Sequence, residues 1–105
     1  MTNDSIYEKI TNEYLNFVRK IQKMTPVKMF ENAEHIATVN KLYKYIHSNK
    51  PFDADETSVL SKLNSPLEIL AERFECVEEI DSETFDWMMW DSMDKGIFED
   101  VICEQ

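Results

Sequence analysis

The clearest helical pattern in the chain lies in residues 5–24, which read SIYEKITNEYLNFVRKIQKM. Apolar side chains recur there every three or four positions, and at about 100° per residue they fall within an arc of roughly 80°. The members of this stripe are Ile6, Ile10, Tyr14, Phe17, Ile21 and Met24. Ser5 and Glu8 have the spacing of a capping box. The segment therefore predicts a first helix, capped by Ser5, that packs one face against a core.

The next segment predicts a second helical region. Thr25 is a suitable N-cap, and Pro26 is tolerated in a first turn because its missing N–H needs no partner there. Helical spacing then continues to about His47 through Val27, Phe30, Ala33, Ile36, Ala37, Tyr43 and Ile46. Asn40 weakens the pattern, which leaves open one long helix or two helices with a bend. Residues 48–51 (SNKP) end the region.

Two shorter helices follow. Residues 53–64 predict a short helix that turns Val59, Leu60 and Leu63 inward. Residues 65–68 (SPLE) combine an N-cap serine, a first-turn proline and a glutamate at the third helical position, which is the strongest start signal in the chain. The helix that begins there has one apolar face, formed by Leu67, Ile69, Leu70, Phe74 and Val77.

A last long helix precedes an apolar tail. Asp81 or Ser82 can cap this helix, which runs to Lys95, and Gly96 is a natural stop because it adopts the left-handed conformation readily. Residues 97–105 are apolar at several positions, and we expect this tail to dock on the bundle as a further turn or two.

Composition favours the all-α class. One Gly and three Pro in 105 residues are too few for the turns of an all-β fold, and a hydrophobic share of 43% is enough for a core. We expect one domain over residues 1–105, a compact bundle of four to five short helices with an acidic C-terminal half.

The sequence shows no signal segment and no apolar run near the roughly 18 residues of a membrane span, so we expect a cytoplasmic location. Cys76 and Cys103 form no CxxC motif and are expected to be free thiols.

Charge is distributed unevenly along the chain, whose formal net charge is −10. Residues 1–67 carry nine Lys and Arg against eight Asp and Glu, whereas residues 68–105 carry two against thirteen. An uneven distribution of charge bears on what the protein associates with and not on how it folds. It argues against direct binding of nucleic acid, whose phosphates need a basic surface.

No pattern in the sequence indicates catalysis. His35 and His47 are accompanied by no Ser or Cys motif, and one Gly cannot build a phosphate-binding loop. The acidic clusters do not match a calcium loop, which needs a Gly at its turn. We therefore expect no enzyme, no catalytic residue, no metal site and no cofactor.

The first candidate for partner binding is a row of glutamates. Glu68, Glu72, Glu75 and Glu79 would lie within about 80° of one another on a helix, opposite its apolar face, along roughly 16 Å of axis. An ordinary solvated face is one interpretation. The other is a surface that mimics the phosphate array of a nucleic acid and occupies a basic groove.

The second candidate is the segment of residues 85–94, which reads FDWMMWDSMD. A helix would place Phe85, Met88, Met89 and Met93 on one face and Trp87 on the other, between Asp91 and Asp94, with Asp86 nearby. We expect Trp90 in the core and Trp87 as an exposed anchor, since tryptophan is enriched at interface hot spots. The apolar tail could instead cover Trp87.

From residue 24 to residue 94 the order of features resembles a small helical family that is associated with bacterial mobile elements. Its members run helix, acidic turn, short helix, Ser/Asn-Pro-Leu start and acidic helix with aromatics, and the matching residues here are 65–67 and 85–94. The resemblance implies a phage or plasmid accessory protein. It implies no activity and assigns no catalytic residue.

The sequence thus predicts a non-catalytic binding protein whose partner is a protein with a basic surface. The sharpest hypothesis is a phage-encoded inhibitor of a host defence nuclease. It would act in the host cytoplasm like an anti-CRISPR protein, by covering a DNA-reading surface of a Cas nuclease. The alternative is an adaptor or regulatory subunit that binds a protein through Trp87 and the apolar tail.

Overall fold

Seven helices make up the regular structure of residues 3–75 and 77–104, which a computed structural model of the chain describes, with side chains for residues 5–75 and 77–102. They are α1 (Asn3–Gln22), α2 (Pro26–Glu31), α3 (Ala33–Asn49), α4 (Ala54–Leu60), α5 (Pro66–Phe74), α6 (Ser82–Asp94) and α7 (Ile97–Glu104). The predicted all-helical class is confirmed. The helices outnumber the expected four to five because the second region divides into α2 and α3, and because the tail forms α7.

Helices α1, α3 and α5 pack on one another at the centre of the fold. Helix α4 packs on α1, and α7 packs on both α4 and α6. Within the stripe of α1, Ile6 and Ile10 are fully buried, while Tyr14 and Phe17 pack against the core at its edge. The rest of the core is formed by Tyr7, Val39, Leu42, Ile46, Phe52, Leu60, Leu63, Leu67, Leu70, Ala71, Phe74, Phe85, Met89 and Phe98.

Aromatic rings attach α6 to this centre. The ring of Phe85 lies 5.5 Å from that of Phe74 on α5 and 4.9 Å from that of Tyr45 on α3, measured between centroids. A third ring, that of Phe52, lies 5.9 Å away. Such pairs stabilise a fold beyond the area that they bury. They fix which side of α6 faces inward and therefore which side faces solvent.

Most helix ends follow the local signals in the sequence. Thr25 caps α2 by accepting a hydrogen bond from the Lys28 N–H at 3.3 Å, and Asp81 caps α6 by accepting one from the Thr84 N–H at 2.8 Å. Gly96 has a φ of 65° and follows the end of α6. The predicted starts of α2 and α6, and the stop after α6, are confirmed.

The predicted start of α1 is wrong. Helix α1 already includes Asn3, so Ser5 lies inside the helix and is not its N-cap. Of the two alternatives for the second region, two helices are present, but they divide at Asn32 and not at Asn40, where the pattern weakens. Asn40 stays helical because its side chain accepts a hydrogen bond from the Tyr14 hydroxyl at 2.7 Å, so it does not compete for the backbone.

The apolar face predicted at the start of the second region is also wrong. No residue of α2 is buried, and Phe30 and Val27 are 84% and 67% exposed. Because the break at Asn32 interrupts the helical phase, these residues do not continue the inward face of α3. That face is formed instead by Thr38, Val39, Leu42 and Ile46.

The start of α5 is capped by a distant side chain. Ser65 occupies the predicted N-cap position but makes no capping bond with its side chain. The carboxylate of Glu13 on α1 takes that role, with Oε1 accepting from the Leu67 N–H at 2.8 Å and Oε2 from the Glu68 N–H at 2.9 Å. Burial raises the pKa of Glu13 above its ordinary value, and the two N–H bonds offset only part of this effect.

One turn earlier on α1, Lys9 binds the other end of the same linker. Its ammonium donates to the carbonyl oxygen of Ser61 at 3.0 Å and to that of Leu63. These carbonyls follow the last turn of α4, where a cation is favoured. Helix α1 therefore holds the connection between α4 and α5 at both ends.

Two further expectations concern the location of the chain and its cysteines. Among the helices of the described residues, none combines the length and apolar character needed to cross a membrane. Cys76 and the side chain of Cys103 lie outside the described part of the structure, so the free thiols stay a prediction.

We predict that Glu13→Ala lowers the free energy of unfolding by about 2 kcal/mol, because it leaves two N–H groups at the start of α5 without their cap. Urea unfolding followed by circular dichroism measures this. Glu8→Ala, at an exposed site on the same helix, is the control and should change stability by less than about 0.5 kcal/mol. Equal losses in the two variants would mean that the cap contributes nothing specific.

Candidate functional site

Both tryptophans of the protein lie on the solvent side of α6. Trp87 is 59% exposed and Trp90 is 63% exposed. The exposure predicted for Trp87 is confirmed, but the core position predicted for Trp90 is wrong. The buried face of α6 is set by Phe85, Met89 and Ser92, and at 100° per residue Trp90 lies about 135° from its centre.

Acidic side chains alternate with the two indoles on this side. Residues three or four apart are neighbours on a helix surface, so Glu83 lies beside Trp87, and Asp86 and Asp94 lie on either side of Trp90. All three carboxylates are exposed. These five residues form the Trp–acid face. It unites Asp86, Trp87 and Asp94 of the predicted site, and it adds Glu83 and Trp90, which are not among the predicted site residues.

Asp91 differs from these neighbours because it is bound within the protein. Its Oδ2 lies 3.4 Å from Nη2 of Arg73 and 3.1 Å from Nζ of Lys95, and only 14% of its side chain is exposed. Arg73 also donates from Nε to the buried Ser92 hydroxyl at 3.2 Å. Asp91 therefore fastens α6 to α5, and its charge is largely neutralised. Its predicted place in a partner-binding surface gains no support from this geometry.

A groove runs beside Trp90 between α6 and the start of α4. Its lining, called the Trp90 groove below, consists of Pro51, Asp53, Asp55, Glu56, Asp86, Trp90 and Met93. Asp53 and Glu56 form a capping box, in which each side chain accepts from the other residue's backbone N–H. Burial raises the pKa of Glu56 above its ordinary value, and the charges of Asp53, Asp86 and Asp55 raise it further.

The predicted row of four glutamates does not form. Helix α5 ends at Phe74, so Glu79 lies in the following loop and Glu75 at the helix end. Glu72 is exposed on the helix. Glu68 and Glu75 bind a histidine of α3. No continuous array of free carboxylates therefore remains on this helix.

That histidine is His35, which lies between two carboxylates. Its Nδ1 is 2.9 Å from Oε1 of Glu75, and its Nε2 is 3.1 Å from Oε2 of Glu68. Burial lowers the pKa of His35, but the hydrogen bonds and charges of Glu75 and Glu68 outweigh it, and the net shift is upward. With both ring nitrogens engaged, His35 joins α3 to α5 and offers no free nitrogen for proton transfer.

The loop between α5 and α6 carries further acidic residues toward a basic stretch of α3. Lys41 donates from Nζ to the carbonyl oxygen of Glu78 at 2.9 Å. Glu79 and Lys44 line the same surface depression. Within residues 68–105, salt bridges pair the carboxylates of Glu68, Glu75 and Asp91 inside the molecule. The carboxylates of the Trp–acid face enter no salt bridge among residues 5–75 and 77–102, and they lie beside exposed aromatic surface.

No arrangement for metal binding is visible among the side chains of residues 5–75 and 77–102, where no group of three or more His, Cys, Asp or Glu residues is placed to hold an ion. Comparison with known proteins gave no match to a protein-family model, to a curated protein or to a solved structure.

We predict that stability depends on the protonation of His35. Its folded-state pKa lies above the ordinary 6.5, so folding favours the charged ring. This stabilisation is complete below pH 6.5 and is lost as the pH rises through the folded-state pKa. Because the cluster is partly exposed, we expect the free energy of unfolding to fall by about 0.5 kcal/mol between about pH 6 and pH 8.5.

The matched variants are His35→Gln and His47→Gln. Urea unfolding at both pH values should show that this fall is absent in His35→Gln. It should persist in His47→Gln, which alters an exposed ring stacked on Tyr43. A fall of the same size in both variants would assign the pH dependence to another group.

We also predict that Trp87→Ala and Trp90→Ala each change the free energy of unfolding by no more than about 0.5 kcal/mol, as surface substitutions usually do. Phe85→Ala should cost about 3–5 kcal/mol because its ring is buried against three others. Circular dichroism in urea measures all three. A loss of several kcal/mol in either tryptophan variant would mean that its indole is buried in solution.

Proposed function

We propose that this protein is a non-catalytic binding protein that attaches to a basic protein surface through the Trp–acid face. The observation that carries the proposal is the exposure of both indoles, at 59% and 63%, between exposed carboxylates on one side of α6. Neither indole contributes to the core, so the fold does not explain why large aromatic residues stand there.

The aromatic part of the face supports a protein partner. Exposed tryptophan keeps apolar area in water, and burial of that area on binding is favourable at about 25 cal/mol per Å². Tryptophan is also enriched among the residues that dominate interface energies. Trp87 and Trp90 are three residues apart and are therefore neighbours on the helix surface, which suits docking on a single partner surface.

The acidic part of the face supports a basic partner. Glu83, Asp86 and Asp94 surround the indoles, and the whole chain carries a formal charge of −10. Opposite charge on the partner speeds the encounter and fixes its orientation. A nucleic acid is itself an array of negative charge, so direct binding to it is disfavoured and a protein that binds nucleic acid is favoured.

The sharpest form of the proposal is an inhibitor of a nucleic-acid-handling enzyme. Carboxylates in the place of phosphates can occupy a groove that is lined with Lys and Arg. A Cas nuclease has such grooves where it reads the PAM and holds DNA strands. In this form the protein is an anti-CRISPR-like inhibitor, carried by a phage or mobile element, that acts in the host cytoplasm.

A second candidate function is that of an adaptor or regulatory subunit. The central position of the two indoles on the face favours it, because an apolar centre with a charged rim is the usual anatomy of a protein interface. Salt separates the two candidates. Phosphate mimicry weakens as ionic strength rises, whereas apolar docking is nearly indifferent to it.

We predict that binding to a guide-loaded Cas nuclease, measured by biolayer interferometry, weakens at least about tenfold between about 50 and 300 mM NaCl. The triple variant Glu83→Gln, Asp86→Asn, Asp94→Asn should lose most of the affinity. Glu72→Gln, at an exposed carboxylate on α5, should bind nearly as the parent does.

Two other outcomes decide against this form of the proposal. Salt-indifferent binding that is lost in Trp87→Ala would support the adaptor. An absence of binding to Cas nucleases at low salt would remove the nuclease assignment.

A further inference from the structure

The Trp90 groove combines two kinds of wall. One wall is apolar, with the exposed indole of Trp90 beside Met93 and Pro51. The other is acidic, with Asp53, Asp55 and Glu56 from the start of α4 and Asp86 from α6. A ligand in this groove would therefore meet a flat aromatic surface and carboxylates together.

The carboxylates of the groove are not balanced by cations. No Lys, Arg or His belongs to its lining. Asp55 and Asp86 are exposed, and neither takes part in a salt bridge within residues 5–75 and 77–102. The neighbouring charges oppose ionisation of Glu56. A cation that enters the groove relieves this repulsion, so charge complementarity points to a positively charged occupant.

The exposed indole of Trp90 favours a guanidinium over an ammonium. A guanidinium is planar, stacks on aromatic faces and donates two parallel hydrogen bonds to a carboxylate. It is also more weakly hydrated than an ammonium, so it loses less on leaving water. Cation–π contact with the indole adds to the attraction. The pairing of a flat ring with carboxylates therefore fits arginine better than lysine.

We propose that the Trp90 groove binds the guanidinium of an arginine side chain presented by the partner. The inference rests on the proposed function, since it names the residue type through which a basic partner engages the Trp–acid face. In the complex, the guanidinium stacks on Trp90 and bonds to the carboxylates of Asp55 and Asp86. The groove thereby selects arginine-rich surfaces among basic ones.

The experiment uses hexa-arginine, hexa-lysine and hexa-citrulline peptides with a reporter for the groove alone. Trp87→Phe leaves Trp90 as the one indole of the chain, so its fluorescence reports on the groove. Hexa-arginine should change this emission saturably and bind about two- to fivefold more tightly than hexa-lysine at equal ionic strength. The neutral hexa-citrulline should not bind.

Charge-matched variants in the same background test the location. Asp55→Asn, in the groove but outside the Trp–acid face, should remove most of the preference for arginine over lysine. Glu72→Gln loses the same charge outside the groove and should keep the preference. A preference that survives Asp55→Asn would overturn the proposed location.

The remaining outcomes separate the inference from the proposed function. Equal, salt-sensitive binding of the arginine and lysine peptides would overturn the arginine site and leave a basic partner for the face intact. If neither peptide binds at low salt, either to this variant or to the unsubstituted protein with both tryptophans, both the arginine site and the basic-partner proposal fail.

Discussion

The fold depends on two side chains of one helix that hold the connection between two others. Lys9 and Glu13 are four residues apart, so they stand side by side on α1. The ammonium of Lys9 binds carbonyls at the end of α4, and the carboxylate of Glu13 binds amides at the start of α5. Each charge faces the helix end that favours it. This pair holds the start of α5 against α1, and the buried face of α5 then packs in the centre of the molecule.

The position of α5 determines what the surface can present. Phe74 of α5 stacks on Phe85 of α6, and Arg73 of α5 binds Asp91 and Ser92 of the same helix. These contacts fix the rotation of α6 about its axis. Since one side is committed to the core, the opposite side carries Trp87 outward. The candidate site thus lies on a helix whose orientation is fixed by its contacts with α5.

Local signals could be read from the sequence, and tertiary ones could not. The caps at Thr25 and Asp81 involve residues three apart, so their spacing alone predicts them. The cap of α5 comes from Glu13, which is more than fifty positions away, and no periodicity reveals such a partner. Asn40 illustrates the same limit. Its side chain binds the Tyr14 hydroxyl of α1 and therefore does not compete with the helical hydrogen bonds of its own backbone.

The site was only partly predictable for a similar reason. The sequence correctly predicts the apolar face of α6 at Phe85 and Met89, but the hydrophobicity of Trp90 predicts burial for a side chain that is exposed. Exposure was decided by which neighbours α6 packs against. The predicted row of glutamates does not form, because α5 ends at Phe74 and because Glu68 and Glu75 bind His35 of α3. Neither the end of α5 nor the contact with His35 can be predicted from the sequence of the acidic segment alone.

The division of α6 into a packed side and a free side has a consequence for how this protein can evolve. Glu83, Trp87 and Trp90 are exposed and lie outside the buried core, so the fold places little constraint on them. Under the proposed function, selection at these positions acts almost entirely through the partner. If the surface of that partner changed, single replacements on α6 could restore the fit without altering the packed core beneath them.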